Sequence, residues 1–287
     1  MAIPTRALKN APKAGTVIPV IGLGVYSSNS TTKSVTEALN LGYRLFDTAN
    51  EYQNETDTAK GISEWLKSNP NVKREDVWYC TKIDDARGGY EGTKSRVEEA
   101  LTKAKVGGLD YIDMLIIHAP YTAPPHTETR MKVWKALSEF VDDGKIRTLA
   151  VSNYGVKHLK EFWDADTKYK PVLNQIESSP WNVHQDIHDY CNEHDIVVEQ
   201  YSPLIRGKKF DEPGVQSLAK KYNKTPAQIL IRWGIDKGML PIPKSDQPQR
   251  QKSNADVFDF KLTPDEVTAL QDLDSYLYLE WDPTVAP

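Results

Sequence analysis

Seven short apolar runs in this 287-residue chain end on side chains that can hold charge, give up a proton or accept a hydrogen bond. They close on Asp47, on Lys82, on His118, on Ser152 with Asn153, on Gln175, on Tyr201 with Ser202, and on Lys244 with Ser245. Tyr52 follows Asp47 by five residues, near enough to swing over the same place from a loop. A free phenol titrates at about 10 and donates poorly at neutral pH. An ammonium beside it favours the phenolate, and Lys82 can supply that charge. A lysine drawn out of water needs a counter-ion, which Asp47 provides. His118 can then hydrogen-bond a substrate carbonyl oxygen and fix its orientation. Tyr52 as acid, Lys82 as tuner, Asp47 as anchor and His118 as positioner form a proton-donating set for carbonyl reduction.

Each residue alone has a plainer explanation. A histidine after an apolar run is more often a satisfied core or rim residue, and a lone lysine can run its stem along the surface with its charge in water. Only a fold that gathers all of them gives the set meaning. Apolar runs at 19–25, 43–49, 77–83, 111–119, 146–152, 172–178, 196–202 and 239–243 are short and rich in β-branched and aromatic residues, as strands buried on both faces are. Amphipathic stretches lie between them. In 127–143, Met131, Trp134, Leu137 and Val141 recur at helical spacing, and Gly144 supplies the stop. Segment 94–105 repeats this with Val97, Leu101 and Ala104 before Gly107 and Gly108, and Thr225-Pro226 reads as an N-cap and first turn. Strand and helix alternate with no Pro/Gly/Ser-rich linker, which predicts an α/β fold: one (β/α)8 TIM barrel domain over 1–287. The C-terminal strand ends of such a barrel share one mouth, so the polar residues converge there.

Charge narrows the function classes. With 36 basic and 40 acidic residues the net charge is −4, and no basic block supports nucleic-acid binding. Cys80 and Cys191 sit in apolar or helical runs, make no metal motif and suit a reducing compartment. His184 and His188 stand four apart without the carboxylate motif of a zinc enzyme, so no metal is expected. Ser27-Ser28 and Ser178-Ser179 have no base partner for nucleophilic catalysis. With no secretory-type apolar segment at the start and no run approaching the ~18 apolar residues of a membrane span, a cytoplasmic protein is expected, without membrane partners and as a monomer or weak homodimer.

The ordered segments GYRLFDTANEYQNE, CTKI, YIDMLIIHAP, VSNYG, NQIESSPW, YSPL and PIPKS resemble the aldo-keto reductase superfamily, and within it the short fungal NADPH-dependent aldo-keto reductases. The resemblance runs from Gly22 to the tail WDPTVAP. It implies the barrel, and NADPH or NADP+ lying extended across its mouth without a Rossmann domain. No G-x-G-x-x-G fingerprint is present, and Gly22-Leu23-Gly24 reads as backbone room at the cofactor or substrate edge. The resemblance assigns Ser152, Asn153 and Gln175 to the nicotinamide carboxamide, Tyr201 to the ring face, and Ser202 and Leu204 to the pyrophosphate. It assigns Lys244, Ser245, Arg250 and Asn254 to the adenosine end, where two cations and a hydroxyl suit a 2′-phosphate.

The chain departs from the family pattern at four places. Ala119 stands where tryptophan is usual, Asp84 where an aromatic is common, Asp246 in place of an apolar residue and Ser253 in place of glutamate. Ala119 predicts a wide mouth suited to bulky ketones and keto esters. Tyr26, Asp84, Ala119, Tyr121 and Trp281 are candidate pocket residues, with Trp181 as a further aromatic wall. The expected activity is NADPH-dependent reduction of aldehydes and ketones, including α-keto esters and α-dicarbonyls. A non-catalytic NADP(H)-binding redox sensor or regulatory subunit on the same barrel is the rival, and an NAD-preferring sugar or polyol reductase is a third reading.

Overall fold

Every expected apolar run contains a strand, and the strands lie side by side in chain order. The computed structural model describes residues 3–85, 88–279 and 281–287. Its parallel sheet of eight strands comprises β3 (Leu23–Gly24), β4 (Leu45–Asp47), β5 (Trp78–Asp85), β6 (Ile112–Ala119), β7 (Ile146–Ser152), β8 (Leu173–Glu177), β9 (Val197–Tyr201) and β10 (Leu240–Pro241). Eight helices occupy or follow the crossovers: α1 (Thr31–Asn40), α2 (Glu55–Ser68), α3 (Gly89–Val106), α4 (His126–Asp142), α5 (Val156–Asp164), α6 (Gln185–Glu193), α7 (Pro213–Tyr222) and α8 (Pro226–Asp236). Two more, α9 (Pro248–Ala255) and α10 (Pro264–Ala269), come after the last strand. The expected helix signals hold. Gly144 takes φ +69° after α4, and the Thr225 hydroxyl caps α8 by accepting from Gln228 N.

Alternation along the strands splits the core into two layers. Phe46, Tyr79, Ile83, Leu115, Ile117, Leu149, Val151, Ile176 and Val198 pack outward against the helices. Leu45, Cys80, Met114, Ile116, Ala150, Leu173, Val197, Leu240 and Ile242 fill the barrel instead. Both layers are buried, so the interior is a packed core below the mouth.

The sheet closes between its first and last strands. Gly22 N donates to Pro241 O at 3.1 Å and Gly24 N to Pro243 O at 3.3 Å, and Gly24 also bridges to Lys244. Proline has no N–H, so bonds at this seam run one way, and the regular strands there are shorter than runs 19–25 and 239–243. A Cβ on Gly22 would lie 2.8 Å from Leu45 Cγ, and one on Gly24 3.0 Å from Ile242 O. Their lack of a side chain lets the first and last strands approach and close the barrel.

One element was not anticipated. β1 (Thr5–Ala7) and β2 (Val17–Pro19) form an antiparallel hairpin whose strands are too short to show a period of two. Leu8 and Ile18 carry it into the inner core cluster, where it plugs the end opposite the polar mouth. Among the described residues no helix is long and apolar enough to cross a membrane.

Candidate active site

The same alternation that fills the barrel builds the mouth. Two residues beyond each inner apolar side chain the strand presents a polar one: Leu45 then Asp47, Cys80 then Lys82, Ile116 then His118, Ala150 then Ser152, Leu173 then Gln175, Val197 then Glu199, Ile242 then Lys244. Asp47, Lys82, Ser152, Gln175 and Glu199 are each no more than 2% exposed.

Hydrogen bonds join most of these residues into one network. Lys82 Nζ donates to Asp47 Oδ1 at 2.5 Å, to Thr48 O at 2.9 Å and to Tyr52 Oη at 3.3 Å. Gln175 Nε2 donates to Asp47 Oδ2 at 3.0 Å and to Glu199 Oε2 at 2.5 Å. The Ser152 hydroxyl donates to Gln175 O at 2.8 Å, and Asn153 Nδ2 to His118 O at 2.9 Å. Tyr201 Oη donates to Asn153 Oδ1 at 3.1 Å. Asn153 makes these contacts from a left-handed backbone at φ +62°, a conformation asparagine tolerates better than most residues. Tyr52 rides on a 3-10 turn, Asn50–Tyr52, and its ring lies 5.8 Å from the His118 ring.

Glu199 was missed in the sequence. Its signal was available: a charged residue in the strand VVEQY, two positions past the apolar inward Val197. Burial pushes its carboxyl well above the ordinary range, Asp47 adds to this, and only the Gln175 bond and Lys82 oppose it. It is therefore a proton-bearing acid at neutral pH, which lets it sit beside Asp47 without a second buried charge.

The electrostatics of Tyr52 reverse one expectation. Burial raises its pKa, and Lys82 lowers it by less, so the phenol stays protonated. Burial works against the Lys82 ammonium too, yet Asp47 outweighs it and the lysine stays charged. A phenol that keeps its proton beside a fixed cation stabilises the phenolate only as the proton leaves, which favours the transition state over the ground state. His118 is brought down to about 3 by burial first and Lys82 second. Glu51 Oε2, 3.6 Å from His118 Nδ1, would favour the charged ring, but Glu51 is largely in water and burial prevails. His118 is a neutral hydrogen-bonding group.

The pocket candidates divide. Tyr26 is 52% exposed and meets Tyr52 edge-on at 5.0 Å, at the rim. Trp281 reaches back from the tail to within 6.4 Å of His118 and 5.8 Å of Tyr121 between ring centres. Trp181 is buried in the helix layer with Lys209 Nζ over its ring. Asp84 bonds Arg96 of α3 and faces Asn50, so it is held at the edge of the turn carrying Tyr52. Ala119 follows His118 at the end of β6 and is 2% exposed. Trp281 supplies an aromatic wall beside His118.

The residues expected at the cofactor fall into a strained turn and a seam group. Ser202 takes φ +50°, and Ile205, Arg206 and Gly207 are also left-handed, a concentration of strain of the kind found where backbone must turn toward a ligand. Leu204 is half-buried in that turn. At the seam, Lys244 and Arg250 are exposed while Ser245 and Asn254 are buried beside them. Buried amide and hydroxyl groups, a strained turn and two exposed cations are a donor set whose chemistry fits a nicotinamide dinucleotide. His184 and His188 serve separate contacts, with Tyr278 and Asn192, and among the described residues no His/Cys/Asp/Glu group is placed to hold a metal.

A closed (β/α)8 barrel with this mouth is an oxidoreductase architecture. The chain belongs to the aldo/keto reductase family, whose model matches residues 15–275. It is 39% identical over 277 residues to an uncharacterised oxidoreductase of Saccharomyces cerevisiae, covering 95% of this chain and 96% of the relative. It is 39% identical over 274 residues to an Escherichia coli methylglyoxal reductase, covering 94% of each. Among solved structures, a Bombyx mori aldo-keto reductase in complex with NADP is 32% identical with a TM-score of 0.83, covering 94% of this chain and 92% of that one. The protein is an oxidoreductase acting on carbonyl and alcohol groups.

Proposed function

We propose that this protein reduces aldehydes and ketones with NADPH, including α-dicarbonyls and α-keto esters, and that Tyr52 is the general acid. The observation that carries the reading is the Asp47–Lys82–Tyr52 chain of hydrogen bonds, buried beneath His118 at one mouth. A bound nicotinamide supplies the hydride. His118 donates to the substrate carbonyl oxygen through its neutral ring and aims that oxygen at Tyr52 Oη. Tyr52 gives its proton to the oxygen as the carbon is reduced, Lys82 stabilises the phenolate that forms, and Asp47 keeps Lys82 in place. Gln175 donates its Nε2 protons to Asp47 and Glu199, which leaves Oε1 to accept from the carboxamide. Ser152 and Asn153 would hold the other side of that group, Tyr201 would face the ring, Ser202 and Leu204 the pyrophosphate, and Lys244, Ser245, Arg250 and Asn254 the adenosine end. A cytoplasmic, reducing setting agrees with two buried free cysteines.

The methylglyoxal reductase relative supports small α-dicarbonyls as substrates. The aromatic rim of Tyr26, Tyr121 and Trp281 supports larger esters. The test is a panel of methylglyoxal, simple aldehydes, aromatic ketones and α-keto esters, each assayed with NADPH and NADH. Turnover of activated carbonyls is expected. Cofactor binding with no turnover of any of them would favour the redox-sensor reading.

A further inference from the structure

The adenosine end of the mouth already holds an anion of the protein's own. Asp246 Oδ2 accepts from Lys244 Nζ at 2.8 Å and from Asn29 N at 3.3 Å. Its Oδ1 accepts from the Ser28 hydroxyl at 2.5 Å and the Ser34 hydroxyl at 2.9 Å. These donors come from the loop after β3, the first turn of α1 and the Asp246 loop itself, so the carboxylate is fixed from three sides. Partial burial would raise its pKa, but the bonds from Lys244, Ser28 and Ser34 outweigh this and bring it down to about 2. Asp246 is charged throughout the working pH range.

We propose that Asp246 sets the cofactor preference of this site, weakening discrimination for NADPH by engaging Lys244 and repelling the 2′-phosphate. The proposal rests on the reading that a nicotinamide dinucleotide lies along this mouth. Lys244 and Arg250 are the two cations assigned to the adenosine end, and a fixed Asp246 leaves that end a net single positive charge. A 2′-phosphate that reaches Lys244 comes within a few ångströms of the Asp246 carboxylate, and the two anions repel. An uncharged 2′-hydroxyl arriving at the same place meets no such repulsion. The same carboxylate therefore opposes one cofactor and spares the other.

Direct binding tests this without relying on turnover. Dissociation constants for NADPH, NADH, 2′,5′-ADP and 5′-AMP are measured by calorimetry on the natural protein, on Asp246→Asn and on Ser28→Ala. Asparagine keeps the shape and loses the charge, whereas Ser28→Ala keeps the charge and loosens its support. The natural protein is expected to bind NADPH within about tenfold of NADH, the size of one charge-assisted contact. Asp246→Asn is expected to widen that ratio about tenfold or more through NADPH and 2′,5′-ADP, with 5′-AMP unimproved, and Ser28→Ala to shift the ratio in the same direction by less. A natural preference above a hundredfold, or an Asp246→Asn change that affects both cofactors equally, overturns the proposal while leaving the dinucleotide site standing. No binding of any of the four compounds overturns both.

Discussion

Lys82 Nζ reaches the Tyr52 hydroxyl at 3.3 Å and lies 4.8 Å from the centre of the same ring. The cation thus touches both the acidic atom and the π-face of the phenol. If Tyr52 is the acid, Tyr52→Phe keeps the ring and its contacts with Tyr26 and His118 and loses only the proton. kcat should fall on the order of a hundred- to ten-thousandfold with dinucleotide affinity unchanged. Single-turnover kinetics with a titration of NADPH separates the two, and near-normal turnover would move the acid to another residue.

Removing Lys82 has a second consequence, because Asp47 would be left charged in a dry site. Lys82→Met should destabilise the fold by roughly 3–5 kcal/mol as well as abolish turnover. Adding Asp47→Asn should return much of the stability and none of the activity. Urea unfolding of the single and double variants checks this. Activity recovered along with stability would show that the lysine serves folding alone.

His118 is held neutral, with its pKa near 3 in place of its ordinary 6.5. The pH profile of kcat/KM should therefore carry no inflection near 6.5 from this residue, and His118→Asn should lower kcat/KM without creating or removing a limb. A histidine limb between pH 6 and 7 that vanishes in the variant would mean the ring works as a cation.

Glu177 gives a stability signature. Its Oε1 accepts from Leu279 N of the tail at 2.8 Å, and burial raises its pKa from 4.5 to about 7. A carboxyl raised on folding contributes stability that is complete below pH 4.5 and is lost as pH rises to about 7. Glu177→Gln keeps an acceptor for Leu279 and removes that loss. The variant should gain in Tm relative to the natural protein between pH 5 and 8 and show no gain at pH 4. A constant difference across the range would assign the effect to packing.

Trp281 contacts His118 and Tyr121 while 38% exposed, so it can be cut without opening the core. Trp281→Ala should raise KM for aromatic keto esters by about two- to tenfold, the worth of one aromatic contact, and leave methylglyoxal almost unaffected. Equal losses for both substrates would place the bulky-substrate wall elsewhere.

The sequence by itself determined the barrel and the identities at its mouth. Both follow from local regularities: a period of two within each strand, a period of 3.6 between them, and the rule that strand ends of one sense share a face. Asp47, Lys82, His118, Ser152 and Gln175 were legible because each sits one step past an apolar inward residue of its own strand. The same step read one strand further would have found Glu199.

The tertiary structure decided what those residues do to one another. Asp47 meets Gln175 across 128 positions and Asp246 meets Ser28 across 218, separations over which local pattern carries no information. Barrel closure sets those distances, and with them the balance between burial and charge. That balance keeps the Tyr52 phenol protonated despite Lys82, makes His118 neutral, and commits Lys244 to a carboxylate before any phosphate arrives. Residue type gives the chemistry a group can do. Its protonation and its partner depend on how much water the rest of the fold removes and which charge is packed beside it.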